Sequence, residues 1–70
     1  MQLATYIRSR RKNIGMTQSE LAEKVGLTAV TISRYENGER EPGYKDFIRL
    51  CKVLGMKAED FYGEDGVQDE

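Results

Sequence analysis

Signals that start and stop helices stand close together in the middle of this 70-residue chain. Residues 17–20, Thr-Gln-Ser-Glu, form a capping box in which the Thr17 hydroxyl accepts from the amide three residues on, while the Glu20 side chain returns to the Thr17 amide. Gly26 stops the helix that begins there, because glycine adopts positive φ without steric cost. Thr28 can cap the next helix. The spacing predicts two short helices separated only by Gly26 and Leu27.

Apolar residues at helical spacing predict further helices on both sides of this pair. The first helix covers roughly residues 2 to 13 and is ended by Asn13 and Gly15, and the pair Asn37-Gly38 ends the third. A fourth ends at Gly55, and a short final turn follows. The apolar positions are Leu3, Tyr6, Ile7 and Ile14; Leu21, Ala22 and Val25; Ile32 and Tyr35; Phe47, Leu50, Cys51 and Leu54; and Met56, Phe61 and Tyr62. Since no run alternates polar and apolar residues as a strand does, the predicted class is all-α.

The size and composition of the chain allow one small folded domain. Its mass is 8.0 kDa, with 39% hydrophobic and 33% charged residues. Such a chain folds, but it buries only about 60% of the surface that the unfolded form exposes, which makes self-association plausible. We expect residues 1–63 to form the domain and residues 64–70 to be a disordered acidic tail. No apolar run is long enough for a signal peptide or a membrane span.

The inventory of reactive side chains argues against an enzyme. The chain has one cysteine and no histidine, so a disulfide framework or a Cys/His zinc site cannot form within it. Cys51 occupies an inward helical position, and neither a glycine-rich phosphate loop nor a catalytic pair of carboxylates is present. We therefore expect no catalysis, no metal and no cofactor. A free cysteine is consistent with a cytoplasmic location.

The net charge of −1 conceals a separation of charge along the chain. Residues 59–70 carry six acidic side chains and no basic one, which leaves residues 1–58 with a net charge of +5. Four of the bases fall in residues 8–12: Arg8, Arg10, Arg11 and Lys12. A cluster of this kind is either a solvated helix face or a surface that binds an anionic partner such as nucleic acid.

Two short helices joined by a glycine-containing turn form a helix-turn-helix unit, here about residues 17–37, whose second helix can lie in the major groove of DNA. Residues 16–22 (MTQSELA), Val25-Gly26 and residues 32–38 (ISRYENG) resemble the phage repressor and Cro-type (Xre-like) helix-turn-helix family. The resemblance covers about residues 3–62. It implies a compact five-helix domain that binds double-stranded operator DNA as a transcriptional regulator, commonly a repressor and a homodimer.

Several structural and phosphate-binding roles follow from the resemblance. Arg11 and Glu36 match an arginine and a glutamate that pair between the first and third helices, although Arg11 can equally belong to the basic face and contact phosphate. Gln18 resembles a glutamine that contacts a DNA phosphate and braces the reading helix, and Asn37 a residue whose backbone amide contacts phosphate just past that helix. The phosphate contacts that we expect are Arg10, Thr17, Gln18, Thr31, Asn37 and Arg40.

Bases are expected to be read by the outward side of the third helix, about residues 28–37. Arg34 can donate two hydrogen bonds to guanine, and small apolar groups suit the thymine methyl. The predicted base-reading residues are Thr28, Ala29, Val30, Ser33 and Arg34. Val30 lies off the inward face, which fits this role, although single exposed valines are common.

The sequence also points to protein partners. Ile48, Val53 and Tyr62 exceed what one small core can bury, so we expect homodimerisation through the fourth and fifth helices. A protein-interaction module with the same fold, such as an antitoxin-like protein that binds a partner protein, is the competing hypothesis. The acidic tail gives it weak support.

Overall fold

The computed structural model describes residues 3–59 and residue 61. They form four helices, α1 (Leu3–Ile14), α2 (Gln18–Val25), α3 (Ala29–Glu36) and α4 (Tyr44–Leu54), and contain no strand. The all-helical prediction is confirmed, and the described residues form four helices of the five that the resemblance implied. After α4, the Phe61 amide donates to the Ala58 carbonyl at 3.0 Å, and Glu59 and Phe61 have helical backbone. Tyr62 and the acidic residues 64–70 lie outside the described residues.

The predicted start and stop signals of α2 are confirmed. The Thr17 hydroxyl accepts from the Glu20 amide at 3.0 Å, and the Glu20 carboxylate accepts from the Thr17 amide at 2.8 Å. Gly26 follows the helix in the left-handed region with φ of 75°. The Leu27 amide then donates to the Ala22 carbonyl at 2.8 Å, which turns the chain toward α3. The Thr28 hydroxyl begins α3 by accepting from the Thr31 amide.

Replacing Gly26 with alanine is expected to lower the free energy of unfolding by about 1 to 2 kcal/mol, because a Cβ disfavours the left-handed region. Steric crowding does not contribute to this loss, since the nearest atom to a Cβ at this position would be Nη1 of Arg49 at 3.9 Å. Gly26→Asn should cost clearly less, because asparagine tolerates left-handed backbone. Urea unfolding of both variants tests this prediction, and equal losses would point to crowding rather than backbone conformation.

The core lies where all four helices meet. Six of its side chains are the largest that are completely enclosed: Ile7, Leu21, Ile32, Phe47, Leu50 and Leu54. Ala22 and Val25 also lie inside, and the small Ala22 allows α2 to pack closely on its neighbours. The assignment of Ile14 to the apolar face is wrong, because its side chain is 42% exposed. It is the last residue of α1, where the helix ends before it can cover Ile14.

Candidate nucleic-acid interface

A buried ionic cluster holds α3 against α1 and α2. Arg11 donates from Nε and Nη2 to the two carboxylate oxygens of Glu36, at 2.6 and 3.0 Å. Gln18 donates from Nε2 to Glu36 Oε1 at 3.1 Å, and Arg11 Nη1 donates to the Met16 carbonyl at 2.8 Å. Arg11 and Glu36 are 8% and 7% exposed. The hydrogen bond with Glu36 raises the pKa of Arg11 above its ordinary value, although burial opposes that shift. Three elements therefore meet on one carboxylate.

A second contact on the inward side of α3 fixes it to α4. The Tyr35 hydroxyl donates to Asp46 Oδ2 at 3.3 Å, and the ring is almost completely buried. Burial, followed by the negative charge of Asp46, raises the pKa of this hydroxyl, so Tyr35 remains a donor at neutral pH. Sequence analysis did not find this contact, since nothing in the spacing of the two residues signals it. Together with the Glu36 cluster, the Tyr35–Asp46 contact leaves α3 with only one free face.

The free face of α3 carries the residues that sequence analysis assigned to base reading. Val30 is 60% exposed despite being apolar, and Arg34 and Thr28 are exposed. Ala29 and Ser33 are half-buried at the edges of this face. Arg34 forms no ion pair with another described residue. A cation beside apolar and hydroxyl groups, on a helix fixed from behind, can meet base edges in a groove.

The residues assigned to phosphate contact divide into two groups. Thr17 and Gln18 stand at the start of α2, and Thr31 lies on α3 with its hydroxyl 3.0 Å from that of Thr28. Arg40 is exposed in the connection between α3 and α4. The first turn of a helix favours anions, which suits Thr17 and Gln18 to the predicted role.

Two of the predicted phosphate contacts already have partners within the protein. The Asn37 amide donates to the Ser33 carbonyl at 2.9 Å, which ends α3 as predicted. The Asn37 side chain is exposed and 3.5 Å from the Ser33 hydroxyl. Arg10 donates from Nε to the Leu54 carbonyl at 3.0 Å, at the end of α4. A guanidinium there interacts favourably with the negative end of the helix dipole, which gives Arg10 a structural role.

Comparisons with known proteins agree on one family. The family described as helix-turn-helix matches residues 7–61. An uncharacterized HTH-type transcriptional regulator of Methanothermobacter thermautotrophicus is 41% identical over 69 residues, which are 94% of this chain and all of that protein. The antitoxin HipB of Escherichia coli is 38% identical over 55 residues, 79% of this chain and 58% of that protein.

A solved structure shows the same fold bound to DNA. The crystal structure of the P22 c2 repressor protein in complex with a synthetic operator superimposes with a TM-score of 0.81 and 32% identity. The match covers 94% of this chain and 97% of that one. Among the described residues of our chain, no helix has the length and apolar character needed to cross a membrane. The family match over most of the chain shows that this protein is a member of the helix-turn-helix family, as residues 16–38 had implied.

Proposed function

We propose that this protein is a transcriptional regulator that binds double-stranded operator DNA with α3 in the major groove, and that it acts as a repressor. The observation that carries the proposal is the division of α3 into two sides. Glu36 and Tyr35 fasten one side to the other three helices, while Val30 and Arg34 remain exposed on the other. The similarity to the P22 c2 repressor in its operator complex supports the assignment.

Each exposed residue of α3 has a role suited to its chemistry. Arg34 donates to O6 and N7 of a guanine, and Val30, with Ala29 beside it, contacts a thymine methyl. Thr28 and Ser33 supply hydroxyls that donate or accept. Thr31 on α3, together with Thr17, Gln18 and Arg40 outside it, contacts phosphates and sets the position of α3 on the duplex. Arg10 and Asn37 remain predicted phosphate contacts as well.

Selection of bound duplexes from a random pool, followed by sequencing, tests this function directly. A regulator of this kind enriches one sequence and binds it at least about a thousandfold more tightly than random DNA at the same salt concentration. Failure to enrich any sequence would contradict the proposal. Failure to retard even random duplex at low salt would favour the competing function below.

We propose that the regulator binds as a homodimer through α4 and the residues that follow it. Ile48 and Val53 are half-buried against the core and Tyr44 is 53% exposed, so α4 presents apolar surface at its outer side. Tyr62, the third residue predicted for this contact, lies outside the described residues. A two-fold pair would read half-sites about 34 Å apart, which increases both affinity and specificity.

Sedimentation measures the predicted dimer. We expect two protein chains to bind each operator duplex. Ile48→Lys should reduce formation of this two-chain complex at least tenfold while leaving the monomer folded. Lys57→Glu, an exposed substitution beyond α4, is the control. A species of one 8.0 kDa chain per operator would contradict the dimer.

A protein-interaction module is the second candidate, favoured by the similarity to a protein named as an antitoxin. Both candidates use the same fold, so retardation of random duplex by micromolar protein at low salt separates them.

We further propose that residues 1–63 are the folding domain. The enclosed core side chains all lie between Ile7 and Leu54, well inside that range.

A further inference from the structure

Three residues form a basic patch on the outer side of α4. Lys45, Ile48 and Lys52 follow one another at spacings of three and four, which places them on one helix face. Both lysines are exposed and Ile48 is half-buried. Neither lysine forms an ion pair with another described residue. We call these three residues the α4 patch.

The one acidic residue of α4, Asp46, does not pair with the lysines of this patch. Asp46 accepts from the Tyr35 hydroxyl at 3.3 Å and lies 3.9 Å from Arg49 Nη1. It therefore belongs to the border of α4 that faces α3, whereas the patch lies on the other border. Two exposed ammonium groups with an apolar side chain between them favour an anionic occupant that also carries apolar groups.

The last described residue, Phe61, lies near the first turn of α4. The Phe61 ring packs on Tyr6 with a centroid distance of 5.1 Å and edge-on against Phe47 at 5.9 Å. Phe47 lies in the first turn of α4, between Lys45 and Ile48. The packing of Phe61 thus returns the chain from the end of α4 to its first turn, which also carries Lys45.

The nine residues that follow have the charge and the length to cover the α4 patch. Residues 64–70 contain four acids and Val67 but no base. Nine residues span up to roughly 30 Å when extended. The patch extends roughly 10 Å along the helix axis, at 1.5 Å per residue. A tethered segment also has an effective concentration near the millimolar range, so weak ion pairs suffice for a populated contact.

We propose that, in the monomer, residues 64–70 dock on the α4 patch of the same chain, with carboxylates at Lys45 and Lys52 and Val67 against Ile48. Docking of this segment and the homodimer contact proposed at Ile48 then exclude each other. The contact neutralises a basic surface remote from the free face of α3. Phosphate attraction is then concentrated where Arg34 and Arg40 lie. This inference concerns the folded chain itself and does not require that the chain bind DNA.

Amide chemical shifts of the full chain test the contact. A variant with Glu64→Gln, Asp65→Asn, Asp69→Asn and Glu70→Gln is compared with the unaltered chain at low ionic strength. We expect shifts at the amides of residues 44–53 in addition to those near the substitutions. At about 1 M salt, where the Debye length is about 3 Å, the differences in α4 should disappear.

Two backgrounds locate the contact. In a chain with Lys45→Gln and Lys52→Gln, the same four substitutions should shift the α4 amides several-fold less. In the control with Arg8→Gln and Lys12→Gln, which removes two exposed bases from α1, the α4 shifts should remain in full. Shifts confined to residues 61–70 would overturn the proposal, as would equal effects of the two backgrounds. Shifts that grow with protein concentration would assign the segment to a second copy and overturn it as well.

Discussion

Glu36→Gln is expected to lower the free energy of unfolding by about 3 to 5 kcal/mol, because it leaves the Arg11 charge buried without its counter-ion. Both oxygens of Glu36 accept hydrogen bonds, from Arg11 at 2.6 and 3.0 Å and from Gln18 at 3.1 Å. A glutamine supplies one oxygen and turns an NH₂ group toward these donors. A core of this size rarely provides more than about 3 to 5 kcal/mol, so most of the stability is at risk.

Urea unfolding followed by circular dichroism measures this loss. Glu39→Gln is the matched control, since Glu39 is exposed and forms no ion pair with another described residue. We expect the control to change stability by no more than about 0.5 kcal/mol. Equal effects of the two substitutions would show that Glu36 contributes no more than an exposed carboxylate, and Arg11 would return to the phosphate-contacting residues.

Arg34→Ala is expected to weaken binding to the preferred operator by about 1 to 3 kcal/mol for each half-site, or about 5- to 150-fold. The reason is the loss of two hydrogen bonds to a single base. Binding to scrambled duplex should fall less, so the ratio of the two affinities should decrease. Arg34 is exposed and no ion pair with another described residue depends on it, so the fold should be unaffected.

Gln18→Ala provides the contrast within the same motif. Its predicted partner outside the protein is the sugar-phosphate backbone, which is the same in every sequence, so operator and scrambled DNA should weaken by similar factors. The hydrogen bond to Glu36 is also lost, and a modest decrease in stability should accompany the change. Both variants are measured at one salt concentration. If Arg34→Ala lowers both affinities equally, Arg34 contacts phosphate and does not read a base.

Local signals in the sequence were sufficient to predict the helices. The capping box at Thr17, the cap at Thr28 and the left-handed Gly26 each act within four or five residues, and all three occur in the structure as expected. The apolar periodicity was equally informative, because one face of each helix must be covered. It failed at Ile14, where periodicity continues but the helix ends and no neighbour covers the side chain. After Gly55 the apolar residues predicted a short final turn, and the hydrogen bond from the Phe61 amide to the Ala58 carbonyl forms one.

The partners of the polar side chains were harder to predict. The family resemblance paired Arg11 with Glu36. The cluster of bases at residues 8–12 left open whether Arg11 forms that pair or contacts phosphate. Local sequence pattern did not distinguish Arg10 from its basic neighbours. In the structure Arg10 reaches the Leu54 carbonyl, 44 residues away, because α1 and α4 lie side by side. The Asn37 amide, predicted to contact phosphate, donates to the Ser33 carbonyl in the last turn of α3.

The sequence by itself determined where α2 and α3 begin and end, where α4 ends, which apolar residues other than Ile14 the helices bury, and that the chain belongs to the helix-turn-helix family. These properties depend on hydrogen bonds and periodicities between residues a few positions apart. Only the tertiary structure decided which long polar side chains are committed to the protein and which are exposed to a partner. The reason is that arginine, glutamine and asparagine reach groups distant in the chain, and the positions of those groups are fixed only once the helices have packed together.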